Sequence, residues 1–204
     1  MKAVAPAVAR LLAASAVLAL LGCDALAARE PAPGGPPDRE DLRIGYQLLA
    51  DTLADESRLR LLKLFKTITF RGPVEEVGAT MDTLARASKQ RAKELAELRE
   101  LAPDVTGRPA KSSPVGDAIQ AVAKEAGKDE MMDGDGFNLR FMLLQAQATR
   151  MVAAMAEAIA VHDPNARRQA WLHEVAAEYE GHRDEIVAVI QEYVAGRGAD
   201  QPPR

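Results

Sequence analysis

Residues 137–194 read FNLRFMLLQAQATRMVAAMAEAIAVHDPNARRQAWLHEVAAEYEGHRDEIVAVIQEYV, and the fold follows from this stretch. Phe137, Phe141, Leu144, Ala148, Met151, Met155 and Ile159 recur every three or four residues, the period of one face of an α-helix. This run is expected to end near His162. Asp163-Pro164 then offers a cap and a first helical position for a second run, with Leu172, Val175, Tyr179, His182, Ile186, Val189 and Tyr193 facing inward. Two long amphipathic helices joined by so short a turn must fold back on each other.

The same period extends upstream. Val77, Met81, Leu84, Ser88, Ala92, Leu95, Leu98 and Ala102 mark a helix with Pro73 in its first turn and Pro103 at its end. Before it, Leu42, Tyr46, Leu49, Leu53, Leu61, Leu64 and Ile68 predict a helix over 39–69, capped by Asp38 and liable to drift or bend at Asp55-Glu56-Ser57-Arg58. Residues 103–112 have the composition of a loop. Ser113-Pro114 can start a shorter helix carrying Val115, Ile119, Val122 and Ala126, stopped by Gly127. Asp133-Gly134-Asp135-Gly136 invites a calcium-loop reading, but Phe137 would hold the fifth ligand position and no Glu stands at the twelfth, so a turn and helix cap is the better reading. With 4% aromatic residues and no strand-like alternation, the chain is expected to be all-α: an up-down four-helix bundle over residues 38–196 with one additional short helix, and a disordered tail over 197–204.

The N-terminus carries a different signal. Lys2 and Arg10 precede an apolar run, Leu11 to Leu21, too short for a confident membrane span. Leu20-Leu21-Gly22-Cys23 then resembles the lipobox of bacterial lipoproteins. The resemblance implies that residues 1–22 are a lipoprotein signal peptide and that the Cys23 thiol takes a diacylglyceryl group. Asp24 resembles the sorting signal that holds such proteins in the inner membrane. Localisation would then be the cell envelope, lipid-anchored and facing the periplasm, with membrane lipid as a partner through Cys23. An ordinary cleaved signal, or an uncleaved anchor through Ala28, are the alternatives. Cys23 is the sole cysteine, so no intrachain disulfide can form. Residues 23–37 include Glu30-Pro31-Ala32-Pro33-Gly34-Gly35-Pro36-Pro37 and read as a tether, reaching on the order of 50 Å when stretched. Loss of the signal leaves 24 basic against 30 acidic residues, a net charge of −6 without the basic footprint of a nucleic-acid binder.

Helical bundles can hold metal or haem between facing helices, which directs attention to the histidines. His162 stands at a helix end and His173 beside the core position Leu172, facing outward; His182 lies in the inward stripe, with Glu178 one turn before and Glu185 after. The ordinary role for His182 is a partly buried side chain satisfied by a carboxylate or carbonyl. A ferritin-like di-metal site needs Glu-x-x-His on two helices, and the sequence has none. Met81 and His182 on separate inward stripes make residues 73–195 similar to cytochrome b562-type bundles, which implies haem b held by Met and His. Gly134-Asp135-Gly136-Phe137-Asn138 and His182 also resemble features of uncharacterised ferritin-like periplasmic bundles, but the histidine those proteins carry mid-helix is missing near Ala148 and Thr149. No Gly-x-Ser-x-Gly elbow or phosphate loop occurs. Lys89, Arg91, Lys93, Glu94, Glu97 and Arg99 read as a solvated face paired along one helix. The sequence thus predicts a non-catalytic binding or scaffolding module with an envelope protein partner and no cofactor. The alternatives are a haem- or metal-binding redox bundle using His182 with Met81 or Glu178, and a small-ligand carrier. An exposed apolar stripe on one helix would point to a partner or dimer.

Overall fold

The computed structural model describes residues 39–69, 72–106 and 136–199, and the described residues form five helices with no strand. They are α1 (Arg39–Glu56), α2 (Leu59–Thr69), α3 (Glu75–Leu98), α4 (Phe137–His162) and α5 (Ala166–Ala199). The export segment with Cys23 and Asp24, the tether, the expected short helix and Asp133 to Asp135 lie outside the described residues.

α4 and α5 pair most extensively, α1 lies on α3 and α4, and α3 also packs on α2 and α5. Gly45 allows a close approach of α1 to α4, since a Cβ there would meet Ile159 Cγ1 at 3.0 Å. Burial divides into two apolar clusters. The first contains Leu42, Tyr46, Leu49 and Leu53 of α1, Leu95 and Leu98 of α3, Val152 to Ala160 of α4, and Trp171 to Tyr179 of α5. The second contains Leu59 and Leu62, Val77 to Ala85, Phe137 to Met142 and Ile186.

Several expected positions need correction. The 39–69 helix is two helices, broken at Ser57-Arg58, where the Ser57 hydroxyl donates to the Ala54 carbonyl at 2.7 Å and the Arg58 amide to the Asp55 carbonyl at 3.1 Å. Side-chain competition for backbone acceptors is the physical reason for the interruption. After the break the phase changes: Leu59, Leu62 and Lys66 turn inward, while the expected core residues Leu61, Leu64 and Ile68 are 54%, 56% and 75% exposed. α3 starts at Glu75 with Val74 as N-cap and ends at Leu98, so Pro73 precedes the helix and Ala102 is exposed beyond it. The expected tail is helical as far as Ala199. No helix among the described residues is long and apolar enough to cross a membrane.

Candidate functional site

Between the two clusters, four helices each place a polar residue where the apolar stripe would continue. Glu56 closes α1, Ser88 separates Ala85 from Leu95 on α3, Gln145 and Thr149 separate Met142 from Val152 on α4, and His182 separates Tyr179 from Ile186 on α5. Glu56, Ser88, Gln145 and Thr149 are buried. Ser88 Oγ donates to Glu56 Oε2 at 2.9 Å and lies 2.7 Å from the Tyr179 hydroxyl, which donates to Ser88 when Glu56 is ionised. Thr149 satisfies itself on the Gln145 carbonyl at 2.9 Å.

The layer is not fully satisfied. Glu56 Oε1, both polar atoms of the Gln145 amide and His182 Nε2 are buried without a hydrogen-bond partner. Each such atom costs about 1–3 kcal/mol of desolvation. Burial pushes the Glu56 carboxyl up to about 7, against the hydrogen bond from Ser88 and the nearby Tyr179 hydroxyl, which pull it down. Burial, reinforced by the Glu56 charge, likewise raises the Tyr179 phenol. In chemical terms the layer can hold or release a proton at Glu56.

His182 sits at the margin of this layer. Its ring meets the Tyr179 ring edge-on with centroids 5.7 Å apart, Nε2 lies 3.8 Å from Glu178 Oε1, and Nδ1 lies 3.6 Å from Glu185 Oε2. Glu178 is already engaged by Arg91 of α3 at 2.6 Å. Met81 is fully buried in the second cluster with Leu84, Ala85 and Ile186, and a haem crevice reaching it would have to dismantle that packing. These residues do not fit a haem. Among the described residues no group of three His, Cys, Asp or Glu side chains is placed to hold a metal ion, and Glu178 with His182 supplies two donors. His173 faces outward, with Glu157 at 3.1 Å, and His162 is exposed at its helix end.

Two further constellations were not evident from the sequence. Asp163, expected as the cap of the last helix, is instead the buried partner of Arg168: Nε donates to Oδ2 at 2.7 Å and Nη2 to Oδ1 at 2.9 Å. Tyr46 donates to Oδ2 at 2.5 Å, and Arg168 Nη1 reaches the Leu101 and Pro103 carbonyls at 2.7 and 2.9 Å. Burial alone would raise the Asp163 carboxyl, but the bonds from Arg168, Tyr46 and the Asn165 amide outweigh it and hold it below the usual carboxylate range. The capping falls to Asn165, whose Oδ1 accepts from the amides of Arg167 and Arg168 at 3.0 and 3.1 Å.

The second is the charged stretch of α3, which is not simply a solvated face. Arg91 bridges to Glu178 and pairs with Glu94, while Glu94 also accepts from the Trp171 indole at 2.8 Å. Beside it runs an open groove of about 420 Å³ between α3 and α5, lined by Glu94, Glu97, Leu98, Arg167, Trp171 and Glu174. A charge pattern read along one helix cannot show that its partners stand on another.

Comparison with protein-family models, curated proteins and solved structures gives no match for this chain.

Proposed function

We propose that the protein is a lipid-anchored module of the bacterial cell envelope, whose helical domain serves as a non-catalytic binding or scaffolding unit. The observation that carries this reading is the order of segments at the N-terminus. A positively flanked apolar run ends in Leu20-Leu21-Gly22-Cys23, a Pro/Gly-rich stretch follows, and a helical domain begins at Arg39. In that arrangement Cys23 provides membrane attachment and residues 24–37 set the reach. α1 with α2, then α3, α4 and α5, form the legs of an up-down four-helix bundle. Asp24 favours retention at the inner membrane, and an envelope protein is the expected partner.

The intact mass of the chain recovered from membranes tests this directly. The expected result is loss of residues 1–22 with acylation at Cys23, and Cys23→Ser abolishing the acyl mass. An unmodified thiol on a cleaved chain would overturn the anchored reading.

A second reading is supported by the buried, unpartnered Nε2 of His182: a single metal ion held by His182 and Glu178. Elemental analysis of the purified chain and of His182→Ala separates it from the first, since only the metal reading predicts a stoichiometric ion lost with the imidazole.

A further inference from the structure

Only Ser57 and Arg58 separate α1 from α2, and Glu56 is the last residue of α1 before that break. The two helices are rooted in different clusters: Leu42, Tyr46, Leu49 and Leu53 hold α1 in the first, and Leu59 and Leu62 hold α2 in the second. Their holds are unequal. α1 buries four large side chains and packs on α3 and α4, whereas α2 packs mainly on α3 and leaves Leu61, Leu64 and Ile68 in water. An element with few buried apolar contacts opens at a lower free energy than the domain as a whole.

What fastens the joint is the Glu56 side chain. Its Oε2 accepts from Ser88 at 2.9 Å, and Ser88 meets the Tyr179 hydroxyl at 2.7 Å, so the end of α1 is tied to α3 and through it to α5. Oε1 is buried without a partner. Around this carboxyl, α5 brings Tyr179, with His182 against its ring, and Glu178, which is bound to Arg91 of α3 at 2.6 Å. α4 brings the neutral Gln145 and Thr149 to the layer. The cations of α2 are engaged elsewhere: Arg60 and Lys63 on Asp82 of α3 at 3.3 and 2.6 Å, and Lys66 over the Phe137 ring at 4.0 Å. On α1 itself Asp55 pairs with Arg58 at 3.0 Å. A negative charge on Glu56 is thus met by the Ser88 hydroxyl and the nearby Tyr179 hydroxyl. A neutral carboxyl is tolerated in such a place, but a carboxylate with an open buried oxygen is costly, and rotation at Ser57-Arg58 is its shortest route to water.

We propose that Glu56 is the latch of a pH-sensitive joint: protonated, it closes the end of α1 on Ser88; ionised, it leaves the layer and releases α2 from α3. Release uncovers Leu59 and Leu62 together with Val77, Met81 and Leu84, with which they are clustered. The ion pairs between α2 and α3 are not the trigger, because the Lys63 ammonium holds the Asp82 carboxyl below the usual carboxylate range and so ionised near neutral pH. The Glu56 carboxyl, raised by burial to about 7, changes charge there. Its proton is bound more tightly in the closed joint than in the open one, so closure is favoured in acid and is lost as pH rises from 4.5 through about 7. The latch operates whether or not Cys23 carries lipid.

Hydrogen exchange of the full chain between pH 5 and 8, corrected for the intrinsic rate of each amide, tests the proposal. Residues 59–68 are expected to exchange through an opening of their own, less protected than residues 150–160 at every pH. Their protection should fall by up to about 70-fold from pH 5 to 8, the ratio allowed by one proton whose pKa is 4.5 in the open joint and about 7 in the closed one. In Glu56→Gln, neutral at every pH, α2 should keep at pH 8 the protection that the parent has at pH 5. A fall that persists in this variant assigns the titration to another group and overturns the proposal. So does α2 exchange that matches residues 150–160 throughout, since the helix then opens only when the whole domain unfolds. The parent decides without the variant as well: protection of α2 that stays constant from pH 5 to 8 means that no latch exists.

Discussion

Glu56 and Asp163 are buried carboxyl groups of opposite character. Asp163 is ringed by donors, with a guanidinium on both oxygens, a phenol and a backbone amide, so it is held ionised. Its contribution to stability is present above the unfolded carboxylate value of 3.8 and is lost only as pH falls through its lowered pKa. Glu56 has two hydroxyls nearby and one empty oxygen, and its carboxyl is raised from 4.5 to about 7. A raised acid binds its proton more tightly in the folded state, so the stability it confers is complete below pH 4.5 and is lost as pH climbs through 7. Chemical denaturation across pH 4 to 8 should therefore show stability declining by up to about 3 kcal/mol over that window. Glu56→Gln, neutral at every pH, is expected to flatten this slope and to exceed the parent in stability at pH 8. A variant whose profile stays parallel to the parent would show that Glu56 does not titrate in this range.

At the scale of elements, the junction between α4 and α5 shows what a sequence pattern can and cannot disclose. Asp163-Pro164 marked the place of the turn, but neither residue holds the position expected of it: α5 begins at Ala166, so Pro164 precedes the helix, and Asn165 is the cap. The side chains then take different tasks: Asp163 turns in to Arg168, and Asn165 caps α5 and donates from Nδ2 to the Ala102 carbonyl at 2.7 Å. Asn165→Ala removes both functions and should cost about 1–2 kcal/mol, read as a lower thermal midpoint with unchanged helical content. A change within a few tenths of a kcal/mol would mean that Asp163 or solvent takes over the cap. The stripes of α3, α4 and α5 were legible because each keeps one phase from end to end. α1 and α2 were not, since the break at Ser57-Arg58 resets the phase and sends Leu61, Leu64 and Ile68 outward. Interhelical partners such as Arg91 with Glu178 or Arg168 with the Leu101 carbonyl leave no periodic trace, which is why both constellations were missed and His182 alone stood out.

Across the whole molecule, the polar layer separates two apolar clusters that share the same long helices. Packing defects in one cluster should therefore be felt weakly in the other, while defects inside the layer should be felt together. Leu49→Ala in the first cluster is expected to cost about 2–5 kcal/mol and Ile186→Val in the second about 0.5–1.5 kcal/mol. Their double variant should equal the sum within about 0.5 kcal/mol, as for sites with no shared partner. Ser88→Ala and Tyr179→Phe should behave differently. Ser88 joins Glu56 to Tyr179 through 2.9 and 2.7 Å contacts, so either change breaks the same chain of hydrogen bonds, and the second removes less than it would alone. Their coupling should reach about 0.5–3 kcal/mol. Strong coupling between Leu49 and Ile186, with none between Ser88 and Tyr179, would instead describe one continuous core in which the polar residues are incidental. The pattern expected here makes the layer a joint between two separately packed apolar clusters.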